Sequence, residues 1–270
     1  MRCHYMSDLH LEAQDFRHAL PEGDMLIVAG DLCHASALDP ARTDPYRVRQ
    51  RDRVRRFADA ACSAFRHVLL VAGNHEYHDG LFEEAVPLLK RHLQNVTVLN
   101  NEAVDIDGAR FFGTTLWSDF DGRSETSIAK SRRGVGEYFF TRTRRVGSDG
   151  GAVARLTPTD TLAAHEAALA AFRHEVTSKR QQPLVVITHH APSRQGLNPA
   201  HIGNGLDGAF ASDLDRTIAA LEGVPFWIHG HTHIRKRYHI GETTILANCR
   251  GFEGKDLSAR NFSPSAFFEL

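Results

Sequence analysis

The chain has 270 residues, with 32 Lys and Arg against 33 Asp and Glu and 42% hydrophobic residues, which provides for one sizeable α/β core and argues against disorder. A formal charge of −1 gives no whole-molecule attraction to nucleic acid or anionic lipid, and no apolar run approaches the roughly 20 residues that span a bilayer. The four cysteines (Cys3, Cys33, Cys62 and Cys249) form no CxxC pair and suit reduced thiols in a cytoplasmic, non-membrane protein, and no secretory leader pattern follows Met1.

In chain order, short apolar runs each stop at a polar cluster. Tyr5-Met6 leads into Ser7-Asp8-Leu9-His10, residues 25–29 into Gly30-Asp31, and residues 68–72 into Gly73-Asn74-His75-Glu76. LIVAGD and LLVAGN are nearly one phrase used twice, and their length and β-branched content mark buried strands. Helices are expected over 54–65 and 81–93. Three further strands, 96–99, 103–106 and 110–112, are separated by Asn100-Asn101 and Asp107-Gly108 turn signals. From 119 to 155 the periodicity fades and Arg123, Lys130, Arg132, Arg133, Arg142, Arg144, Arg145 and Arg155 accumulate. This stretch reads as a basic insertion, a solvated loop in preference to a cap that steers a polyanion, with 147–151 as a flexible joint.

Thr157-Pro158 then opens a helix over 160–178. Residues 184–188 run into His189-His190, and 225–228 into His229-Gly230-His231-Thr232-His233. Strands at 234–240, 243–247 and 267–268 complete a second sheet, and 248–251 reads as a turn. The alternation of strand and helix indicates one largely parallel α/β domain over 1–270, with ligands beyond the carboxyl ends of the strands, where all five clusters fall. The loop 191–213 must pass near them, which brings Arg194, Asn198, His201 and Asn204 within reach, although each reads first as an ordinary loop residue. Trp117 and Trp227 read as core.

The clusters carry the chemistry. Asp8 and His10, two apart, face one way if the strand continues through them. A carboxylate such as Asp31 at a buried strand end is costly unless a cation relieves it. Gly73 is expected to allow an unusual turn that brings Asn74 and His75 to the strand tip. Of His189 and His190 only one can face the site, and the register selects His189, leaving His190 packed behind it. His231 and His233 can converge on one ion or diverge toward two. An Asp-x-His, a Gly-Asp, a Gly-Asn-His, a strand-end His and a Gly-His-x-His, in that order, point to a metal site.

This order and spacing, from Asp8 to His233, resembles the calcineurin-like metallophosphoesterases. The resemblance implies a four-layered αββα sandwich of two mixed sheets flanked by helices. It implies one ion on Asp8, His10, Asp31 and His233, and a second on Asn74, His189, His231 and the shared Asp31. Mixed O and N donors suit manganese, iron, zinc or cobalt. Two such ions lower the pKa of a bridging water, which attacks a phosphodiester or small organic phosphate in line. His75 takes the role beside the leaving-group oxygen, as proton donor or hydrogen-bond partner. Protein phosphatases of this family carry an Asp three residues after the Gly-Asp aspartate. Here that position is His34, which disfavours a protein phosphatase and leaves His75 without its carboxylate partner. The alternative from another class is a catalytically silent interaction module of the same fold. A nuclease stays open as an alternative but is not indicated, since no strong aromatic stacking platform accompanies the arginines, although Tyr138, Phe139 and Phe140 are nearby.

Overall fold

Strand by strand, side chains alternate between two apolar environments, and that alternation builds the layers. In the computed structural model, which describes residues 1–145, 152–256 and 260–270, the first sheet holds β1 (Arg2–Met6), β2 (Gly23–Val28), β3 (Phe65–Val71), β4 (Thr97–Leu99) and β13 (Phe267–Glu269). Its order is β13-β1-β2-β3-β4, parallel throughout except for β13, which runs antiparallel to β1. Cys3, Tyr5, Met25, Ile27, Leu69 and Val71 point inward, onto the second sheet. Met6, Leu26, Val28, Val68 and Leu70 point outward, onto the helices Pro45–Ala64 and Ala85–His92 through Val54, Phe57, Val86 and Leu89.

The second sheet comprises β5 (Glu102–Ile106), β6 (Ala109–Thr114), β9 (Leu184–Thr188), β10 (Phe226–His229), β11 (Arg235–Ile240) and β12 (Thr243–Asn248), ordered β11-β12-β10-β9-β6-β5. Its four central strands are parallel and both edges antiparallel. Phe111, Val185, Ile187, Ile228 and Leu246 meet the first sheet. Phe112, Val186, Trp227 and Ile245 pack under the helix Pro158–Thr177 through Ala168 and Phe172. The result is the expected four-layered sandwich. The strand at 97–99 and the one at 267–269, expected in the second sheet, pair instead with β3 and β1.

Between 119 and 155 the described residues form more than a loop. The helices Glu125–Gly134 and Glu137–Phe140 and the β7–β8 hairpin (β7, Arg142–Arg144; β8, Val153–Arg155) enclose a small core of Phe120, Val135, Tyr138, Leu156 and Ala209. Short elements lack the helical period that a longer helix would show, which hid them. The glycine-rich tract 147–151 lies outside the described residues.

Candidate metal centre

The backbone, not strand alternation, aims the cluster. β1 stops at Met6, and Asp8, His10, Asp31, His231 and His233 all lie in the left-handed region, at φ of 56°, 49°, 54°, 67° and 51°. Such conformations cost L-residues about 1–3 kcal/mol each and persist only where the surroundings impose them. The pairing of Asp8 with His10 therefore comes from two tight turns and not from the period of an extended strand. Gly73 keeps an ordinary φ, contrary to the expected unusual turn. A Cβ there would run into the Asp31 carboxylate and amide and the His189 ring, so close approach is what requires glycine. Gly230 is similar: a Cβ would lie 2.8 Å from Asp8 Oδ2.

These turns bring together all seven residues proposed from the sequence. Asp8, His10, Asp31 and His233 form one group, and Asp31, His189 and His231 a second that shares Asp31; Asn74 joins the second through Oδ1, 2.8 Å from His189 Nε2. Within the first group, His233 Nε2 is 3.4 Å from Asp8 Oδ1 and His10 Nε2 is 3.9 Å from Asp31 Oδ2. In the second, His189 Nε2 is 3.3 Å from Asp31 Oδ1. Metal bonds of about 2.0–2.2 Å in tetrahedral geometry set donor atoms roughly 3.3–3.6 Å apart, close to these spacings. Two further details fit cations. His10 Nε2 and His233 Nε2 face each other at 3.1 Å, where two lone pairs would repel without a positive charge between them. His231 Nε2 is buried with no hydrogen-bond partner.

The sequence reading missed the groups that hold these side chains. Glu12, buried, accepts at one oxygen from both His10 Nδ1 (2.8 Å) and His75 Nδ1 (2.9 Å). It supplies the carboxylate that His34 does not. His233 Nδ1 bonds Asp256 Oδ2 at 2.6 Å, and His189 Nδ1 bonds the Ala29 carbonyl at 2.8 Å. Each bond fixes a tautomer and frees Nε2 as a ligand atom. Phe252 stacks on His10 at 4.0 Å between ring centroids. Glu76 accepts the backbone N–H groups of Asp31, Leu32, Cys33 and Gly73 and so fastens the two strand ends together. Residues 248–251, expected to be a turn, are structural: Cys249 bridges Ser7, and buried Arg250 donates to the Leu9 and Asp15 carbonyls. Two of these left a trace in the sequence: Glu76 closes the Gly73-Asn74-His75-Glu76 cluster, and Glu12 lies two positions beyond His10. His190 is packed behind the site, its ring 4.1 Å from that of His231.

Electrostatically the cluster is a trap for positive charge. Burial opposes ionisation of Asp8, yet its bonds to His233 and the charges of His233 and His189 hold it down at about 2. Burial likewise disfavours the imidazolium forms. Asp31 nonetheless raises His189 to about 9, and Asp256 and Asp8 raise His233 to about 10. Protons on these rings stand where metal cations would, and metal binding must displace them.

A family model described as calcineurin-like phosphoesterase matches residues 1–235. The chain belongs to that family. It is 23% identical over 232 residues to the uncharacterized protein L509 of Acanthamoeba polyphaga mimivirus, covering 80% of this chain and 78% of that one. A solved structure of phosphopantetheinyl hydrolase from Mycobacterium tuberculosis shares its fold at a TM-score of 0.60 and 19% identity, covering 95% of this chain and 93% of that chain. The family is one of metal-dependent phosphoesterases, and the two His/Asp clusters are the candidate metal sites of this member.

A cavity of about 340 Å³ opens from Asp31, Asn74, His75, His231 and His233. Asn198, His201 and Asn204 line it, as the loop reading allowed, whereas Arg194 turns to Asp121. The folded insertion contributes Gly134, Val135, Gly136 and Glu137 to its lining. Its arginines do not converge there: Arg123 pairs with Glu166, Arg144 with Glu84 and Arg145 with Asp160. Among the described residues no helix is long and apolar enough to cross a membrane.

Proposed function

We propose that this protein hydrolyses a phosphodiester, in preference to a phosphomonoester, with two transition-metal ions. Asp8, His10, Asp31 and His233 would hold one ion and Asp31, Asn74, His189 and His231 the other, with manganese, iron or zinc best suited to the donors. The observation that carries this reading is the pair of clusters sharing Asp31, with His75 beside them at the cavity mouth. Bound there, such ions supply Lewis acidity that neutralises phosphate oxygens and acidifies a water. The remaining work falls to protein groups. Burial disfavours charge on His75, while Asp31 and Glu12 favour it and raise the ring in the metal-free protein to about 9; beside the ions His75 would serve as proton donor to the departing alkoxide, with Glu12 as the partner that keeps its Nδ1 protonated. Glu12 fixes that ring through Nδ1 and leaves Nε2 free to face the substrate. Free thiols at all four cysteines, three of them buried, suit a reducing compartment such as the cytoplasm.

The test is metal analysis together with hydrolysis of bis(p-nitrophenyl) phosphate and p-nitrophenyl phosphate before and after chelation. The expected result is two ions per chain and chelator-reversible turnover, faster on the diester. His75→Ala should keep both ions and lose about 100-fold or more on alkyl esters, which need a proton donor. Two bound ions with no hydrolysis of either ester would favour a silent interaction module instead.

A further inference from the structure

His34 departs from the pattern of protein phosphatases, and the proposed hydrolysis uses neither it nor His78. With His75 they make a cluster other than the two that share Asp31: one ring nitrogen from each of His34, His75 and His78 lies within 4.8 Å of one from each of the others. Ring centres are 4.5 Å apart for His75 and His78, 5.6 Å for His34 and His78, and 6.0 Å for His34 and His75. A zinc ion holding three imidazoles at about 2.0–2.1 Å in tetrahedral geometry sets their centres roughly 5 Å apart, so small ring movements would seat one. His78 is 6% exposed. Its Nε2 and the Nδ1 of His34 are buried without a hydrogen-bond partner among the described residues, whereas buried polar atoms ordinarily have one. Glu12, Asp79 and Asp31 draw positive charge toward His34, and Asp31 and Glu12 toward His78. The opposing charges are those of the cluster's own rings, whose protons a metal displaces.

We propose that His34, His75 and His78 form a third cation site, of the kind that three imidazoles and a water offer zinc, and that its occupancy inhibits the enzyme. Glu12 holds Nδ1 of His75, so the nitrogen that this ring can give is Nε2, the one assigned to the departing alkoxide. An ion there releases the Nε2 proton to solvent and leaves no donor. The inhibition rests on the phosphoesterase reading and its role for His75; the binding site does not. With three neutral ligands, and two cations held nearby, this site is weaker than the clusters that include Asp31 and fills only beyond two equivalents of zinc. His75 and His78 both line the cavity, which gives the ion an entry path.

Binding and inhibition are measured separately. Equilibrium dialysis of the two-zinc enzyme against rising zinc should show a third ion in the wild type. Its affinity should fall about 10–100-fold or more in His34→Ala and in His78→Gln, with the first two ions kept. Over the same zinc range, turnover of an alkyl diester should drop about 100-fold or more, and that of a nitrophenyl diester far less, because nitrophenolate leaves without a proton. Each variant, compared with its own rate before zinc is added, should need correspondingly more zinc. Saturation at two ions, or a third ion that both variants bind as tightly as the wild type, would overturn the site. A third ion that slows both esters equally, or neither, would overturn the inhibition. Failure of the two-zinc enzyme to cleave either diester would overturn the phosphoesterase reading instead, and the dialysis would still decide the site.

Discussion

Glu12→Gln separates two consequences of one side chain. Glu12 Oε1 accepts from the Nδ1 groups of His10 and His75 at 2.8 and 2.9 Å, and its Oε2 is buried without a partner. Glutamine preserves the outline but turns two charge-assisted bonds into neutral ones and places an unsatisfied amide where Oε2 was. Charge-assisted bonds contribute about 1.5–3 kcal/mol and are roughly twice as strong as neutral ones, so the pair together loses about 1.5–3 kcal/mol, or roughly 10–150-fold. The loss divides between the rings. The share at His10 weakens one ion, seen as a lower metal-to-protein ratio after dialysis against a graded chelator. The share at His75 weakens proton donation, seen as a larger fall in kcat on an alkyl diester than on a nitrophenyl diester at saturating metal. With metal restored, the alkyl substrate should lose roughly 4–13-fold, the His75 half of that total, and more than the nitrophenyl substrate. Equal losses on both substrates at full metal occupancy, or no loss on either, would refute Glu12 as the partner that positions His75.

Asp256→Asn removes the charge behind His233 Nδ1 and should weaken one of the two ions by about 10–100-fold, measured by competition with a fluorescent chelator; unchanged affinity at both sites would contradict the assignment. His229, buried two positions before His231, offers a pH test in the metal-free protein. Burial lowers its imidazole from 6.5 to about 4, so between those values the unfolded chain binds the extra proton and stability falls as pH drops, by about 3 kcal/mol at the acid end. Urea unfolding of the metal-free protein should therefore lose more stability between pH 7 and 4.5 in the wild type than in His229→Gln; parallel losses would refute the burial argument.

The five motif clusters were legible because each combines a buried strand with polar residues at its carboxyl end, a pattern written within a few consecutive positions. The family resemblance those clusters carry implied the sandwich and the grouping of Asp8 with His233 and of His189 with His231. What local patterns do not encode is which distant side chain stands behind each ligand. Asp256 lies in an irregular segment 23 residues from His233, and nothing about its neighbours sets it apart. Glu12 lies two positions beyond His10, and only the fold brings its carboxylate to His75. The insertion misled for a different reason. Its elements are too short for periodicity, so it read as a solvated basic loop, whereas the structure folds it, pairs several of its arginines with acids and brings Glu137 to the cavity.

The geometry also explains why the ligands are spread along the chain. The first sheet contributes Asp8, His10, Asp31 and Asn74, and the second contributes His189, His231 and His233, so each candidate ion takes donors from both sheets. Neither sheet can form a site alone. Their relative placement is then part of the metal centre, and the contacts that fix it are specific: Ser7 bridges Cys249, and the His231 backbone N–H donates to Asp8 at 3.0 Å. Left-handed φ values at Asp8, His10, Asp31, His231 and His233 occur where the two sheets' loops meet, so the strain is stored at the seam. Cations that draw the two halves together would offset that strain, which ties the unfavourable backbone at this seam to the metal chemistry it serves.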